Sequence, residues 1–205
     1  MNIYSRLFLA FISFSVISYI NGLLAINVTN NMINSLPLPD VGFYYLPRIS
    51  NFYPNLMLVS FYIYFCTRFI RFRNINQLIS LLWCITILFI FRSITFVVTT
   101  VPPAITNCYN RNSTDPIEWN VLKFLLTSDD NTCIDYMFSG HAVYYVILYM
   151  FILELTTNIV EKTLSTIYIV FGLLSIISGH IHYTVDVIIA IILSYGCYYM
   201  NRILQ

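Results

Sequence analysis

The sequence predicts an all-α membrane protein with six transmembrane helices, forming a single domain over residues 1–205. Of all residues, 59% are hydrophobic and only 9% are charged, whereas a soluble domain is about 25% charged. The apolar residues gather in six stretches, each close to the roughly 17–25 residues with which a helix crosses a bilayer. The spans must be helical, because a sheet edge in lipid would leave backbone groups without hydrogen bonds.

Polar loops separate the six predicted spans, which are Leu7–Ile26, Phe52–Thr67, Leu78–Val98, Gly140–Thr156, Leu164–Gly179 and Tyr183–Met200. The first stretch is long for the apolar part of a secretory signal peptide, so we expect it to remain as a span. The third is interrupted by Arg92, and the fifth is short. An even number of spans places both termini on the same side of the membrane.

The basic residues predict which side that is, because cytoplasmic loops are enriched in Lys and Arg. Three basic residues fall on the side opposite the termini, namely Arg48, Arg111 and Lys123. Twice as many fall on the side of the termini, namely Arg6, Arg68, Arg71, Arg73, Lys162 and Arg202. We therefore expect cytosolic termini, with the other loops in the lumen or outside the cell.

Two further features agree with this orientation. The glycosylation sequons Asn27-Val-Thr and Asn112-Ser-Thr both fall on the predicted lumenal side. Cys108 and Cys133 lie there as well, and a disulfide between them is an open alternative in that oxidising compartment. The net charge of +1 and the lack of a Lys/Arg-rich run give no indication of nucleic-acid binding.

The candidate catalytic residues lie at the predicted lumenal ends of the spans. His141 opens the fourth span, and His182 directly precedes the sixth. Asp186 follows His182 by four positions, so on a helix the two side chains share a face and the carboxylate can orient the imidazole. A histidine at a membrane boundary can be only a polar residue in a wet region, but an acid inside a span is costly and indicates function.

Four motifs occur in order along the chain. Leu36-Pro-Leu-Pro-Asp40 is followed by Val-Gly-Phe, and Arg92-Ser-Ile-Thr-Phe-Val-Val-Thr-Thr-Val-Pro102 ends the third span. Cys133-Ile-Asp-Tyr-Met-Phe-Ser-Gly-His141 and His182-Tyr-Thr-Val-Asp186 complete the set. The four motifs resemble those of the sphingomyelin synthase family, within the PAP2-like lipid phosphotransferases, and the last two resemble its active-site motifs.

The resemblance implies a six-helix bundle like that of lipid phosphatases and phosphotransferases. It implies transfer of phosphocholine from phosphatidylcholine to ceramide, with release of diacylglycerol and without a metal or other cofactor. His182 would attack phosphorus to give a phospho-histidine, Asp186 would orient it, and His141 would protonate the departing diacylglycerol and then deprotonate ceramide. The implied partners are these membrane lipids, in the Golgi or the plasma membrane. Whether the chain is a homo-oligomer stays open.

Five residues are expected to bind substrate. Arg92 is expected about 10 Å below the lumenal surface, where one cation suits the single charge of a phosphodiester, or where it is a structural partner for an acid. Tyr136 and Tyr183 can face a choline ammonium through cation–π contacts, or belong to the aromatic belt of the interface. Asp135 either orients the site or is a solvated loop acid. Ser139 is expected at the substrate as part of the Ser-Gly-His run.

Other functions remain open within and beyond this chemistry. Ethanolamine phosphate or inositol phosphate can replace phosphocholine, since Ile181 departs from the acid that relatives often carry there. Water in place of ceramide would give a phospholipase C-like hydrolase. A lipid phosphate phosphatase is disfavoured, because Phe138 and Ile176 stand where those enzymes carry Pro and Arg, and a phosphomonoester needs several cations. A non-catalytic lipid-binding or scrambling protein would not need His141, His182 and Asp186.

Overall fold

The computed structural model describes residues 2–29, 36–72, 74–99, 101–104, 116–119, 121 and 137–204. The helices whose two ends both lie in these parts of the chain are α1 (Ile3–Thr29), α2 (Val41–Tyr45), α3 (Phe52–Phe72), α4 (Ile75–Val98), α5 (Gly140–Leu155), α6 (Ile159–Ser178) and α7 (Thr184–Ile203). The predicted all-α architecture is confirmed, and each predicted span coincides with one of the six long helices.

The helices extend beyond the apolar stretches from which the spans were predicted. Helix α1 begins four residues before Leu7, and α6 begins at Ile159 instead of Leu164. A polar cap explains the second difference, because the Asn158 side chain accepts a hydrogen bond from the Val160 N–H at 2.9 Å. Helix ends follow caps and backbone hydrogen bonds, whereas hydropathy marks only the part suited to lipid.

The protein is a multi-pass membrane protein. Four helices are long and apolar enough to cross a bilayer, namely α4, α6, α7 and the Ile3–Ala25 part of α1. Helix α5 is also apolar but has only 16 residues, fewer than the roughly 20 that a span normally needs. Helix α3 is not among the four, and its last turns carry Arg68 and Arg71. Six membrane crossings therefore remain a prediction.

The long helices alternate in direction. Helix α1 lies parallel to α4, because Ala10 packs near the start of α4 against Ile79, whereas the Asn21 amide donates to Ser93 Oγ near its end at 2.7 Å. Helices α5 and α7 also run parallel and begin at the end of the bundle where α4 ends. We call this the histidine end, since His141 and His182 lie there. The start of α1 and the end of α7 lie at the opposite end.

Helix α5 occupies the centre of the bundle, in contact with α3, α4, α6 and α7. Most of its residues are buried, as expected for a helix that is apolar on all sides. At the opposite end, carboxylates tie the helices together. Glu161 of α6 accepts a hydrogen bond from Arg68 of α3 at 2.8 Å. Glu154 of α5 bonds Gln77 of α4 at 3.2 Å and pairs with Arg202 of α7. The polar contacts at the opposite end thus join helices to one another. The polar side chains at the histidine end form the candidate site.

Candidate active site

His141 and His182 face each other at the histidine end. His141 is the second residue of α5, and His182 lies in the turn between α6 and α7. The helix that carries Asp186 begins at Thr184, so His182 and Asp186 do not share a helix, as their spacing of four had suggested. Their ring centroids are 6.3 Å apart. The parallel course of α5 and α7 brings their first turns together, and the Ser139 N–H donates to the Asp186 carbonyl at 3.3 Å. Two residues 41 positions apart in sequence thus form one site.

Asp186 lies in the first turn of α7, with only 1% of its surface exposed. Its Oδ2 accepts a hydrogen bond from the Tyr183 N–H at 3.2 Å. Burial lowers the pKa of His182 below its ordinary value of 6.5, the Asp186 charge raises it in opposition, and Arg92 lowers it. The imidazole is therefore neutral near pH 7, which is the form that can act as a nucleophile.

Asn55, near the start of α3, contacts His141. The His141 Nε2 and the Asn55 Oδ1 are 2.8 Å apart and form a hydrogen bond. Asn55 was not among the site residues predicted from the sequence. The signal that could have found it is a polar amide within the first turn of an otherwise apolar predicted span.

Arg92 is buried beside the histidines, as its position in the third span predicted, with 6% of its surface exposed. Its Nε donates to the Phe138 carbonyl at 2.9 Å. The guanidinium packs against Gly140, next to His141, and lies over the Phe96 ring at 4.5 Å from the centroid. A permanent positive charge thus lies beside the start of α5.

Two other predicted substrate-binding residues are buried and make contacts with the protein. The Ser139 Oγ accepts a hydrogen bond from the Ala142 N–H at 3.2 Å and caps α5. The Tyr183 hydroxyl accepts from the Leu38 N–H at 2.9 Å and donates to the Pro102 carbonyl at 3.1 Å. These contacts shape the backbone around the histidines, and contact of either residue with substrate stays a prediction.

The remaining expectations for this region concern residues outside the described parts of the chain. These are the substrate-binding candidates Asp135 and Tyr136, the cysteines Cys108 and Cys133, and the sequon residue Asn112. The pairing of the cysteines and the use of the sequon therefore also stay predictions.

The segment between α1 and α3 reaches the same site. Phe43 stacks on His180 with ring centroids 4.0 Å apart. The Asp40 carboxylate accepts two hydrogen bonds from Thr184, the first residue of α7. A motif from the first loop is thus joined to the helix that carries Asp186.

Comparisons with known proteins find similarity that covers this part of the chain. The family described as "PAP2 superfamily C-terminal" matches residues 132–203, which include His141, His182 and Asp186. The human sphingomyelin synthase-related protein 1 is 44% identical over 62 residues, covering 29% of this chain and 15% of that protein.

Two longer matches cover most of the chain. Phosphatidylcholine:ceramide cholinephosphotransferase 2 of Macaca fascicularis is 31% identical over 182 residues, which are 76% of this chain and 47% of that protein. Phosphatidylcholine:ceramide cholinephosphotransferase 1 of Rattus norvegicus is 29% identical over 175 residues, which are 75% of this chain and 40% of that protein. The chain thus spans less than half the length of each of these relatives.

Proposed function

Because the chain belongs to the PAP2-like family that includes the sphingomyelin synthases, we propose that it transfers phosphocholine from phosphatidylcholine to ceramide. The products would be sphingomyelin and diacylglycerol. The names of the longer relatives state this donor and this acceptor. The observation that carries the proposal is the pairing of His141 and His182 at 6.3 Å, beside Asp186 and Arg92.

The first step is attack of a neutral His182 nitrogen on the phosphorus of the donor. The bond from phosphorus to the diacylglycerol oxygen breaks as the bond from nitrogen to phosphorus forms, and His141, which enters this step protonated, delivers its proton to the departing oxygen. Attack needs about 3–3.5 Å between the reacting atoms, and proton transfer needs about 2.6–3.2 Å. Rings 6.3 Å apart can act on opposite sides of one phosphorus.

The second step regenerates the enzyme. His141, now neutral, takes the proton of the primary hydroxyl of ceramide, and the resulting oxygen attacks the phospho-histidine. The bond from phosphorus to His182 breaks, and sphingomyelin leaves. Asp186 stabilises the positive charge that His182 carries while it is bonded to phosphorus, which agrees with its effect on the pKa of His182.

Arg92 supports a donor with one negative charge. It lies in α4 beside the start of α5, where it can balance the charge of a phosphodiester. A phosphomonoester carries up to two charges and usually needs several cations. The chemistry of the described site therefore favours diester transfer over hydrolysis of phosphatidic acid, whereas the headgroup itself has to be found by experiment.

The proposal includes the placement of the site. We assign the histidine end to the lumenal or extracellular face of the Golgi or plasma membrane, with the chain as one domain of six spans. The opposite end carries Arg6, Arg71, Lys162 and Arg202, and basic residues favour the cytosolic side.

A donor-swap assay tests the function. Membranes from a host that lacks the activity would express the chain and receive fluorescent ceramide with phosphatidylcholine, phosphatidylethanolamine or phosphatidylinositol. We expect fluorescent sphingomyelin with the first donor. His182→Ala should abolish turnover, and His141→Ala should lower it by about 10²–10⁴-fold, the usual contribution of a general acid or base.

The control is Asn76→Ala, which changes an exposed residue of α4 at the opposite end and should leave turnover unchanged. Insertion of each variant would be checked by its recovery in the membrane fraction. A product from another donor would keep the chemistry and change the headgroup. No product from any donor, with phosphate released from phosphatidic acid, would show a phosphatase and contradict the proposal.

A further inference from the structure

Residues 36–50 form a segment that holds the turn carrying His182, and we call it the clasp segment. Its backbone is bonded on both sides of that turn. The Ile49 N–H donates to the carbonyl of Ser178, the last residue of α6, at 3.0 Å. The Leu38 N–H donates to the hydroxyl of Tyr183, the residue before α7, at 2.9 Å. The turn therefore depends on a part of the chain far away in sequence.

Asp40 makes two hydrogen bonds from the clasp segment to the first residue of α7. Its Oδ2 accepts from the Thr184 N–H at 2.9 Å, and its Oδ1 accepts from the Thr184 hydroxyl at 2.6 Å. The N–H groups of a first helical turn have no acceptor within their own helix. A carboxylate is a favourable partner there, because the helix dipole is positive at that end.

The clasp segment is shaped to fit this place. A Cβ on Gly42 would lie 2.3 Å from the Thr184 Oγ1 and 2.4 Å from the Ile177 Cγ2, so the close approach requires glycine. Beside it, the Phe43 ring stacks on His180 at an interplanar angle of 12°. His180 has a φ of 53°, a left-handed conformation that costs energy for a residue with a side chain. The stacking helps to hold the turn in that conformation.

We propose that Asp40 is a positioning residue for His182 and Asp186. Thr184 lies two residues after His182 and two residues before Asp186. A carboxylate that fixes Thr184 therefore fixes the backbone between the proposed nucleophile and its partner. The inference rests on the proposed function, in which His182 attacks phosphorus. It also gives a role to the motif from Leu36 to Asp40, for which the sequence analysis predicted none.

The experiment compares Asp40→Ala, Thr184→Val and Thr184→Ser with the exposed acid variant Glu118→Gln, which removes one negative charge without touching the clasp segment. Two readouts would be taken on purified, monodisperse protein in detergent. The first is kcat and KM for transfer. The second is the rate at which diethyl pyrocarbonate modifies each histidine, measured by mass spectrometry of the peptides.

We expect Asp40→Ala to lower kcat by about 10²-fold, the loss typical of a small misplacement of a reacting group, with a much smaller change in KM. It should also speed modification of His182, which is only 5% exposed, while modification of His141 stays constant because Asn55 of α3 holds that ring. Thr184→Val should behave in the same direction with smaller effects. Thr184→Ser and Glu118→Gln should match the unmodified protein.

Unchanged modification of His182 in both Asp40→Ala and Thr184→Val would overturn the positioning role, whatever the activity. Equal acceleration at His141 and His182 would also overturn it, because that pattern indicates general loosening of the bundle. If the unmodified protein transfers no headgroup at all, the proposed function fails. The modification rates still decide whether Asp40 holds the turn.

Discussion

At the scale of single residues, the contact between Asn55 and His141 distinguishes the two histidines. An amide oxygen only accepts hydrogen bonds, so the His141 Nε2 donates to the Asn55 Oδ1 in the 2.8 Å contact. In the proposed mechanism, Nδ1 is then the nitrogen that exchanges protons with substrate. For His182 the nearby charge is that of Asp186, which acts to raise the pKa of the ring. The two rings thus have different partners, as the proposed division into an acid–base residue and a nucleophile requires.

Asn55→Leu should lower kcat for transfer from phosphatidylcholine by at least about 10-fold. The loss should be smaller than that caused by removing a general acid, which is about 10²–10⁴-fold. The physical reason is that His141 keeps its imidazole and loses the acceptor that fixes the ring. The measurement is the steady-state rate with fluorescent ceramide, together with the burst of nitrophenolate from p-nitrophenyl phosphocholine.

The second substrate separates positioning from general damage. Nitrophenolate leaves without a proton, so its burst should fall much less in Asn55→Leu than transfer from phosphatidylcholine does. Asn76→Leu makes the same chemical change at an exposed position and should alter neither rate. Equal losses with both substrates would show that Asn55 supports the fold and does not act through His141.

At the scale of elements, the contact between α5 and α6 depends on one glycine. A Cβ at Gly172 of α6 would lie 2.6 Å from the Tyr145 Cε1 of α5. The Tyr145 side chain is fully buried, and its hydroxyl donates to the Pro54 carbonyl at 3.2 Å. The ring is therefore held from the other side and cannot turn away. Small residues that allow such close helix approach are common in membrane bundles.

Gly172→Ala should destabilise the bundle by about 1–3 kcal/mol, the usual cost of overpacking a core. The matched change is Gly196→Ala in α7, where a Cβ would meet no atom within 4 Å. That change should be neutral or stabilising by about 0.5–1 kcal/mol, because alanine favours a helix over glycine. Thermal unfolding of both variants in the same detergent measures the difference. A Gly172→Ala protein as stable as Gly196→Ala would show that the two helices can separate without cost.

At the scale of the whole molecule, the six helices and the meeting of the histidines were predictable from the sequence. Hydropathy locates the helices. Because successive long helices alternate in direction, the first turns of α5 and α7, which carry His141 and Asp186, lie at the same end of the bundle. The helix limits were not predictable from hydropathy, because caps such as Asn158 lie outside the apolar stretches.

The supporting contacts of the site could not be predicted in the same way. Asn55 and His141 are separated by 86 residues, and Asp40 and Thr184 by 144. Each contact depends on which helices are neighbours in the bundle, and no local pattern in the chain states this. Motif similarity singled out the segment around Asp40. The role proposed for that segment could be inferred only from the packing of the clasp segment against the turn between α6 and α7.

The orientation of the bundle across the membrane is predicted from the distribution of basic residues, and labelling of single cysteines can test it. Tyr45 is 76% exposed at the histidine end, and Thr157 is exposed in the loop between α5 and α6 at the opposite end. In sealed microsomes, whose outer face is cytosolic, an impermeant maleimide should label Thr157→Cys at once. It should label Tyr45→Cys only after the vesicles are opened. The unmodified chain gives the background from its native cysteines. The reverse pattern would place His182 on the cytosolic side, because the helix directions fix both positions together, and would overturn the lumenal assignment while leaving the chemistry of the site intact.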